Sequence, residues 1–535
     1  MGALALGTTA CAGDGDGDRN RDNPVGGGSK PLPDAPSCVV AGGSATVSAP
    51  ELRMELMDRR YESGWLSSPV AADLDGDGVN EILVARAGYF TVFDAEGNER
   101  WRFDEAASIA PRFWSSPVVA DFRDDERLEI VLAGGGQVWM LDSDGNVLSG
   151  WPREWQYELR SVAAGDVNDD GQLDVIVAST RHEPDILTAY TAGGDTIAGF
   201  PPAGAGAIGC NVRENCWIAG AYDQNLAVGD LDGDGRQDIV ATQDNAYTGF
   251  YRGNGELFDS NPMFEDRPKT LGVRYLHDLR LAQQGFADDE SSDLQAHFTN
   301  TAPTIADIDE DGTYEVILLA SVQNAGQDRR EQGVGLWVVR HDATRLPGFE
   351  TPFHSDEYLG GLWDLDGNIV AMTNQVTVAN IDGARGKEMI YAGFDGRIHA
   401  VRADGTEFWA VTYTNRPDVF TGGVVVGDLS GDGKPEIVFA TYSPQGGQSD
   451  LFILDAGGSI LHQVKLPRLG SMAVPTLADV DGDGTVEILV STRETPWDSG
   501  EPAVLVYSVA SSTTGCLLWP TARGNLYRNA WVRDP

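Results

Sequence analysis

The chain has 535 residues, with 82 aspartates and glutamates against 38 lysines and arginines, which gives a formal net charge of −44. Such a charge repels nucleic acid and anionic lipid, so it argues against both as partners. The hydrophobic fraction of 41% is ordinary for a soluble protein and allows a large buried core. No apolar run reaches the ~18 residues that a membrane-spanning helix needs.

The N-terminal residues are small and apolar up to Cys11, and an Asp/Gly-rich stretch follows. This order is similar to the end of a bacterial lipoprotein signal, in which the cysteine carries the lipid. Two interpretations stay open: a lipid anchor on Cys11, or a plain disordered N-terminus. In either case residues 1–37 are predicted to be a signal remnant and a disordered tether.

Four further cysteines remain after Cys11, and an even number in an exported protein indicates two disulfides. Cys210 and Cys216 lie close together and are expected to pair. A bond between Cys38 and Cys516 would join the two ends of the folded chain. The alternative is four buried free thiols.

One acidic unit recurs along the chain. Its first copy reads Asp73-Leu-Asp75-Gly-Asp77-Gly-Val-Asn-Glu81, and an aliphatic run follows directly. The eight copies begin at Asp73, Asp121, Asp166, Asp230, Asp307, Asn380, Asp428 and Asp479. Each copy continues in short runs rich in Val, Ile and aromatic residues, with Gly and Asp between them, which is typical of β-strands.

Each unit therefore predicts about four short antiparallel strands, the content of one β-propeller blade. We expect residues 38–535 to form a single all-β propeller of about eight four-stranded blades. Seven blades stay possible, because a degenerate copy could be absorbed into an insertion. Residues 52–57 are expected to supply a strand to the last blade, and residues 516–520 to form another closing strand.

The acidic loop has the composition of a calcium site. Calcium binds six to eight oxygens at about 2.3–2.6 Å, and acids at positions 1, 3, 5 and 9 could converge on one ion. Glycines at positions 4 and 6 allow the positive φ of a tight curl. A metal-free Asp/Gly turn is the alternative, but eight copies in register favour calcium. The final acid at position 9 rather than 12 excludes an EF-hand.

Six copies are predicted to bind calcium, so we expect about five or six ions per chain. Their ligands are Asp73, Asp75, Asp77 and Glu81; Asp166, Asn168, Asp170 and Asp174; Asp230, Asp232, Asp234 and Asp238; Asp307, Asp309, Asp311 and Glu315; Asp428, Ser430, Asp432 and Glu436; and Asp479, Asp481, Asp483 and Glu487. The copy with Ser430 is expected to bind more weakly. The second copy has Arg123 at position 3 and the sixth has Asn380 and Ala384, so both are predicted to bind calcium weakly or not at all.

These units resemble the FG-GAP/VCBS repeats of bacterial exported proteins and of the integrin α-subunit head. The resemblance covers roughly residues 60–535 and implies that each loop binds calcium within one blade, in a structural role. Ser-Ser-Pro stands where the family has Phe-Gly and Gly-Ala-Pro elements, and eight copies exceed the seven blades of the integrin head. The resemblance therefore implies an architecture rather than an integrin-like partner.

No catalytic motif stands out in the sequence. Gly-x-Ser-x-Gly, His-Glu-x-x-His and the phosphate-binding Gly-x-x-x-x-Gly-Lys are all absent. The stretch 204–209 matches a dinucleotide fingerprint in letters, but prolines rather than a buried strand precede it, which favours a flexible loop. No catalytic or cofactor-binding residue is therefore predicted.

The chain has three long insertions between repeats, at 181–223, 243–300 and 321–373, and loops of this kind carry ligand sites on propellers. Candidate contact residues there are Tyr275, His277, Arg280, Trp337 and Trp363. The sequence thus predicts a monomeric, calcium-stabilised binding or adhesion module, outside the cell or tethered to its surface or in the periplasm. Its partner would be a protein or a glycan. The alternatives are a polysaccharide lyase of the rhamnogalacturonan lyase type, which shares an eight-bladed calcium propeller, and a quinone-dependent dehydrogenase.

Overall fold

A computed structural model of the chain describes residues 46–57, 66–86, 88–104, 113–155, 157–180, 185–202, 220, 225–265, 267–283, 294–298, 301–323, 333–355, 357–360, 363–365, 368–370, 374–493 and 502–533. Eight antiparallel sheets follow one another along these residues, one for each acidic unit. They form an eight-bladed β-propeller, which confirms the predicted fold class.

The first four blades have their innermost strand first in sequence. Blade 1 contains Val70–Ala72, Glu81–Ala85, Phe90–Phe93 and Glu99–Phe103; blade 2 contains Val118–Ala120, Glu129–Gly134, Gln137–Leu141 and Arg153–Glu154; blade 3 contains Leu159–Gly165, Asp174–Ser179 and Leu187–Tyr190; blade 4 contains Leu226–Gly229, Asp238–Thr242 and Thr248–Tyr251. Isolated bridges, such as Tyr190 with Thr196, stand where blades 3 and 4 would have a fourth strand.

The other four blades follow the same order. Blade 5 contains Thr304–Ala306, Glu315–Gln323, Val334–Val339 and Phe353–Ser355; blade 6 contains Thr377–Ala379, Glu388–Ala392, Arg397–Val401 and Glu407–Thr412; blade 7 contains Val425–Gly427, Glu436–Ala440, Asp450–Leu454 and Ile460–Lys465; blade 8 contains Thr476–Ala478, Val486–Ser491, Pro502–Val509 and Glu51–Met57. Blade 5 also carries Gln295–His297 and Trp531–Val532.

A few short elements connect the blades. They are the strand pairs Thr301–Ala302 with Asn374–Gln375 and Trp363–Leu365 with Asn368–Val370, the 3-10 turns Pro262–Phe264 and Thr270–Gly272, and the α-helical turn Leu279–Ala282. No helix within the described ranges is long and apolar enough to cross a membrane.

The core lies between the blades. The two inner strands of most blades are buried along their whole length, as in Val70–Ala72 and Glu81–Ala85, since both faces are covered by neighbouring blades. One apolar cluster joins Leu83 of blade 1 to Ile130 of blade 2, and another joins Val84 of blade 1 to Val504 of blade 8. Packing thus continues across the junction between the last blade and the first.

The ring is closed by an N-terminal strand. Glu51–Met57 pairs antiparallel with Pro502–Val509, with Leu56 opposite Val504, and so becomes the outer strand of blade 8. This confirms the prediction made for residues 52–57. Cys516 is disulfide-bonded, but all the other cysteines lie outside the described residues, so the predicted pairings stay predictions.

The C-terminal residues 516–533, here called the tail, lie along the inner strands at the centre of the ring. The prediction that 516–520 forms a closing strand was wrong: Trp519 makes only an isolated bridge to Val426 of blade 7. Further on, backbone carbonyls of the tail accept amide hydrogen bonds of 2.8–3.0 Å from Val119, Ala164, Val228 and Ile305 of blades 2 to 5. The innermost strands have a free edge that needs hydrogen-bond partners, and the tail supplies them.

The two faces of the ring carry different loops. Since every blade begins with its innermost strand, the loops after the first and third strands share one face, here called the acidic face, because the eight acidic loops lie there. The connections between blades, and between second and third strands, lie on the opposite face, here called the connection face.

The three predicted insertions contain regular blade strands, so they add fewer extra residues than expected. Leu187–Tyr190 lies within 181–223, Thr248–Tyr251 within 243–300, and Val334–Val339 within 321–373. The turns that follow these three strands, as at Arg252, lie on the acidic face, and the described parts of the connections between blades lie on the connection face.

Candidate metal centres

The acidic loops share one backbone frame. In blade 1, the carboxylate of Asp73 accepts hydrogen bonds from the amides of Gly76 at 2.7 Å and Gly78 at 2.8 Å. Both glycines have positive φ, +79° and +88°, the region that favours glycine. The first acid therefore holds the loop in a tight curl, as the sequence predicts. Asp230 and Asp479 make the same contacts in blades 4 and 8.

The final acid of each loop accepts a hydrogen bond from the backbone amide at position 2 of the same loop. In blade 1, Glu81 accepts a hydrogen bond from the amide of Leu74 at 2.9 Å. The same contact, at 2.6–3.2 Å, occurs in all eight copies, through Glu81, Glu129, Asp174, Asp238, Glu315, Glu388, Glu436 and Glu487. Each of these carboxylates is buried, and each lies at the first position of the second strand of its blade, except Glu487, which lies at the second position.

Four of the six predicted sites bring three carboxylates together, with one oxygen from each lying within 4.8 Å of the others. The clusters are Asp73, Asp75 and Glu81; Asp230, Asp232 and Asp234; Asp307, Asp309 and Asp311; and Asp479, Asp481 and Asp483. Oxygens bound to one calcium at about 2.3–2.6 Å lie up to about 5 Å apart, so this spacing fits the ion. These four clusters could hold a metal ion.

The other two predicted sites have fewer converging carboxylates. In blade 3, the amide of Asn168 lies 3.3 Å from Asp174. In blade 7, the hydroxyl of Ser430 donates to Asp428 at 3.1 Å. Blade 7 also has an acid that the sequence analysis missed, because Asp455 follows the third strand and its charge adds to the raised pKa of Glu436.

The two incomplete copies also differ from the rest. Asp124 and Glu126 have positive φ where blade 1 has glycines, so blade 2 keeps the curl without them. In blade 6 a positive φ falls on Gly386, one residue later than position 6. Their predicted weak or absent calcium binding stays a prediction.

In five blades of the described chain, an arginine from elsewhere in the same blade reaches the acidic loop. In blade 1, Arg100 Nη1 lies 2.9 Å from Asp75 Oδ2 and 2.5 Å from Glu81 Oε1. The other pairs are Arg252 with Asp232, Arg340 with Asp311, Arg402 with Asp382 and Arg53 with Asp481, at 2.8–3.2 Å. These contacts were not predicted, since the fold rather than the spacing along the chain brings each arginine to its loop. The sequence did carry one indication of these contacts, because an arginine directly follows the third strand in three copies.

Burial raises the pKa of the final acids of the loops. Desolvation is the largest cause in every case, and it raises the pKa of Glu129 to about 7 and that of Asp174, Asp238, Glu315 and Glu436 to about 8. The neighbouring loop carboxylates raise the pKa further, because like charges disfavour ionisation. A bound cation would act in the opposite direction and favour the ionised form.

Two of the candidate ligand contacts were wrong. Tyr275 and Trp337 are buried in the core on either side of Phe298, so they cannot present a surface to a ligand. His277 is half-buried against His354, with ring centres 4.6 Å apart, and burial lowers its pKa to about 4. Arg280 is exposed. The side chain of Trp363 and the stretch 204–209 lie outside the described residues.

An aromatic surface on the connection face was not predicted. Here called the aromatic patch, it consists of Trp114, Trp155, Tyr157, Glu158 and Arg160. The first four lie on the connections that lead into blades 2 and 3, and Arg160 lies at the start of the first strand of blade 3. Tyr157 is 41% exposed. The indole of Trp114 donates to Glu158 at 2.5 Å, and the guanidinium of Arg160 lies 5.5 Å from the centre of the same ring.

The repeat geometry agrees with sequence matches to known families. Residues 73–132 and 428–490 match the FG-GAP-like repeat, and residues 224–257 match the FG-GAP repeat. The chain contains FG-GAP repeats. The matches include the acidic loops of blades 1, 2, 4, 7 and 8, so this part of the predicted resemblance is confirmed. The sequence matches no curated protein.

Several solved structures are similar to this propeller at low sequence identity. The V. cholerae biofilm matrix protein Bap1 is 14% identical with a TM-score of 0.52, covering 88% of this chain and 92% of Bap1. A quinohemoprotein alcohol dehydrogenase from Comamonas testosteroni is 13% identical with a TM-score of 0.48, covering 89% and 79% of the two chains. The exotype rhamnogalacturonan lyase YesX is 14% identical with a TM-score of 0.37, covering 85% of each chain. At this identity the likeness to Bap1 shows the fold alone, and the other two likenesses carry no argument.

Proposed function

We propose that this FG-GAP propeller is a calcium-stabilised, non-catalytic binding or adhesion module that contacts a protein or glycan outside the cell. Calcium, about five or six ions per chain, pins the acidic loops. The partner binds the connection face. The likeness of the fold to a biofilm matrix protein is consistent with an adhesive role but does not establish it.

The observation that carries the proposal is the separation of the two faces. All eight acidic loops lie on one face, where they fix the turn between the first two strands of each blade. The described parts of the connections between blades and the aromatic patch lie on the other face. A rigid ring that presents variable loops on one side is a common arrangement for recognition.

Calcium would act on stability rather than on the partner. Each cluster joins carboxylates from a loop whose two ends enter adjacent buried strands, so an ion there ties the loop to the core of the blade. Without a cation, adjacent carboxylates repel one another by about 1 kcal/mol per close pair even in water.

The aromatic patch has the composition of a recognition surface. Trp and Tyr combine a broad apolar face with a polar tip, and both are enriched at interfaces. Glu158 and Arg160 add hydrogen-bonding groups beside the rings. Flat rings with neighbouring polar groups suit the faces of sugar rings as well as peptide side chains.

The acid–base groups of the described residues support binding more than catalysis. The strongest constellation is His399, which lies 3.0 Å from Asp395 and 3.4 Å from Glu407. The side chain of His399 is only 3% exposed and stacks on Tyr391, so a substrate cannot reach it. A general base must lie within hydrogen-bond reach of its substrate.

The proposed location is the cell exterior or the periplasm, with either a lipid on Cys11 or no anchor. The disulfide of Cys516 supports an oxidising compartment, because such bonds persist mainly in exported proteins. The excess of acidic residues leaves nucleic acid and anionic membrane surfaces as poor partners. We expect the module to act as a monomer.

A binding screen with a matched surface control tests the proposal. The protein in calcium is applied to immobilised polysaccharides and surface proteins, and the double variant Trp114→Ala/Tyr157→Ala is compared with Ile460→Ala, an exposed residue on the outer strand of blade 7. Binding that the double variant loses and Ile460→Ala keeps would support the aromatic patch. Unsaturated products from pectic polymers would instead establish a lyase and contradict a non-catalytic role.

A further inference from the structure

Two arginines of the tail are buried at the centre of the ring. Arg523 and Arg528 are each only 2% exposed. A guanidinium stays charged in proteins, so each brings a positive charge into the interior. Within the described part of the chain neither arginine forms an ion pair with a carboxylate, although the chain has a net charge of −44.

Every hydrogen-bond acceptor of these two arginines is neutral. Arg523 donates to the carbonyl of Leu226 in blade 4. Arg528 donates to the carbonyl of Pro117 at 3.0 Å, to the hydroxyl of Thr521 at 2.8 Å and to the carbonyl of Ala522 at 2.7 Å. Carbonyl dipoles offset part of the cost of burying a charge, but they supply no countercharge.

The donors left over belong to side chains that line one cavity. Among the described residues, Nη1 of Arg523 and Nη2 of Arg528 have no hydrogen-bond partner, and both side chains line the same cavity between blades 2, 3 and 4. Ser115, Ser116 and Ser161 line it as well. Its volume is ≈ 10 Å³, which is room for one water-sized guest. A single-atom ion or one water molecule is a guest of this size.

Burial also makes both arginines easier to deprotonate. It lowers the pKa of Arg523 and Arg528 to about 9, and the charge of Arg528 lowers that of Arg523 further. Both groups remain charged at neutral pH. An anion between them would restore their usual pKa, because an opposite charge favours the ionised form.

We propose that this cavity binds a single-atom monoanion, chloride, held by Arg523 and Arg528 with the hydroxyl of Ser161 beside them. The ion would be the missing countercharge for two buried cations. It would also join the tail to the inner strands of blades 2 to 4, so halide would stabilise the closed ring. The only neutral occupant of the same size is a water molecule.

Anomalous diffraction from crystals of the full chain in bromide tests the site directly, because bromide replaces chloride and scatters anomalously. We expect a peak beside Arg523 Nη1 and Arg528 Nη2. In solution, Tm should rise saturably as chloride replaces gluconate at constant ionic strength, since a ligand that binds only the native state stabilises it. No peak and no saturable shift would mean that the cavity holds water, which would overturn the proposal.

Variants separate this site from general salt effects. Arg523→Gln and Arg528→Gln should lose the saturable shift, whereas Arg416→Gln, an exposed arginine paired with Asp418, should keep it. A saturable shift that survives both buried substitutions would contradict the assignment. If neither variant folds, the bromide peak and the halide titration of the unaltered protein still decide it.

Discussion

The guanidinium of Arg252 lies 2.9 Å from a carboxylate oxygen of Asp232, one of three acids that converge in blade 4. It comes from the residue that follows the third strand, so the contact ties two parts of the blade together. The positive charge of Arg252 partly neutralises these carboxylates, as a bound metal ion would. It also opposes a metal ion that binds beside it.

Arg252→Gln should therefore strengthen calcium binding in blade 4 and weaken the calcium-free blade. The pair is partly exposed, so we expect each effect to be about 0.2–1 kcal/mol. Calcium titration calorimetry and thermal unfolding in chelator measure the two effects. Arg416→Gln serves as the control, because Arg416 pairs with Asp418 away from the acidic loops. Weaker calcium binding in Arg252→Gln would contradict this competition.

Loss of one loop carboxylate should remove one calcium ion only where the cluster is complete. Asp481→Asn in blade 8 should lower the bound calcium by one per chain, counted by metal analysis of the dialysed protein. It should also lose about 2.7 kcal/mol of stabilisation at a hundredfold excess of calcium over Kd. Asp382→Asn is the matched control, since Asp382 holds the same position in the incomplete loop of blade 6. An equal calcium count in both variants would show that the clusters do not bind the ion.

The metal-free protein should lose stability as the pH rises. Burial raises the pKa of Glu315 to about 8 in the folded chain, against about 4.3 when unfolded. A carboxyl of this kind stabilises the fold while protonated, so its contribution is present below about pH 4 and is lost as the pH rises through about 8. In chelator, Tm should fall between about pH 5 and pH 8, and saturating calcium should remove the fall.

The variant Glu315→Gln removes the contribution of one carboxyl to the fall of Tm with pH, because the amide does not titrate. Its Tm in chelator should fall less steeply with pH than that of the unaltered protein. An exposed acid, Asp259, gives the matched control as Asp259→Asn, which should keep the full slope. A Tm in chelator that rises over this pH range would contradict the assigned pKa.

Closure of the ring can be tested within one strand. Leu56 of Glu51–Met57 is fully buried, whereas Leu52 of the same strand is 49% exposed. Leu56→Ala should cost about 2–5 kcal/mol, because it removes buried methyl groups and leaves a cavity. Leu52→Ala should change stability by less than about 0.5 kcal/mol. Chemical denaturation measures both, and equal losses would show that this strand does not close the ring by packing.

The repeat predicted much of the fold because each unit carries its own local signals. Almost every copy repeats the acid at position 1, and the copies share glycines at the positive-φ positions of most loops and an aliphatic residue after the final acid, such as Glu81. The loops and the first two strands of each blade follow from these features. The closing strand was predictable as well, since residues 52–57 lie outside any repeat yet are apolar enough to join one.

Contacts between distant residues were not predictable in the same way. The arginines that meet the acidic loops, and the tail along the inner strands, depend on which strands the ring brings together. Tyr275 and Trp337 were predicted to contact a ligand because they lie in long segments between repeats. Trp337 instead lies in the third strand of blade 5, and both side chains are buried against Phe298. Side-chain type alone cannot distinguish an aromatic residue that binds a ligand from one that fills a core.

Thermal unfolding in calcium and in chelator, with the bound metal counted per chain, tests the central claim most directly. The account predicts about five or six calcium ions per chain and a large fall of Tm when they are removed, because each ion stabilises the native state in proportion to its excess over Kd. An unchanged Tm and no bound calcium would mean that the acidic loops are only turns, and the proposed calcium-stabilised propeller would be contradicted.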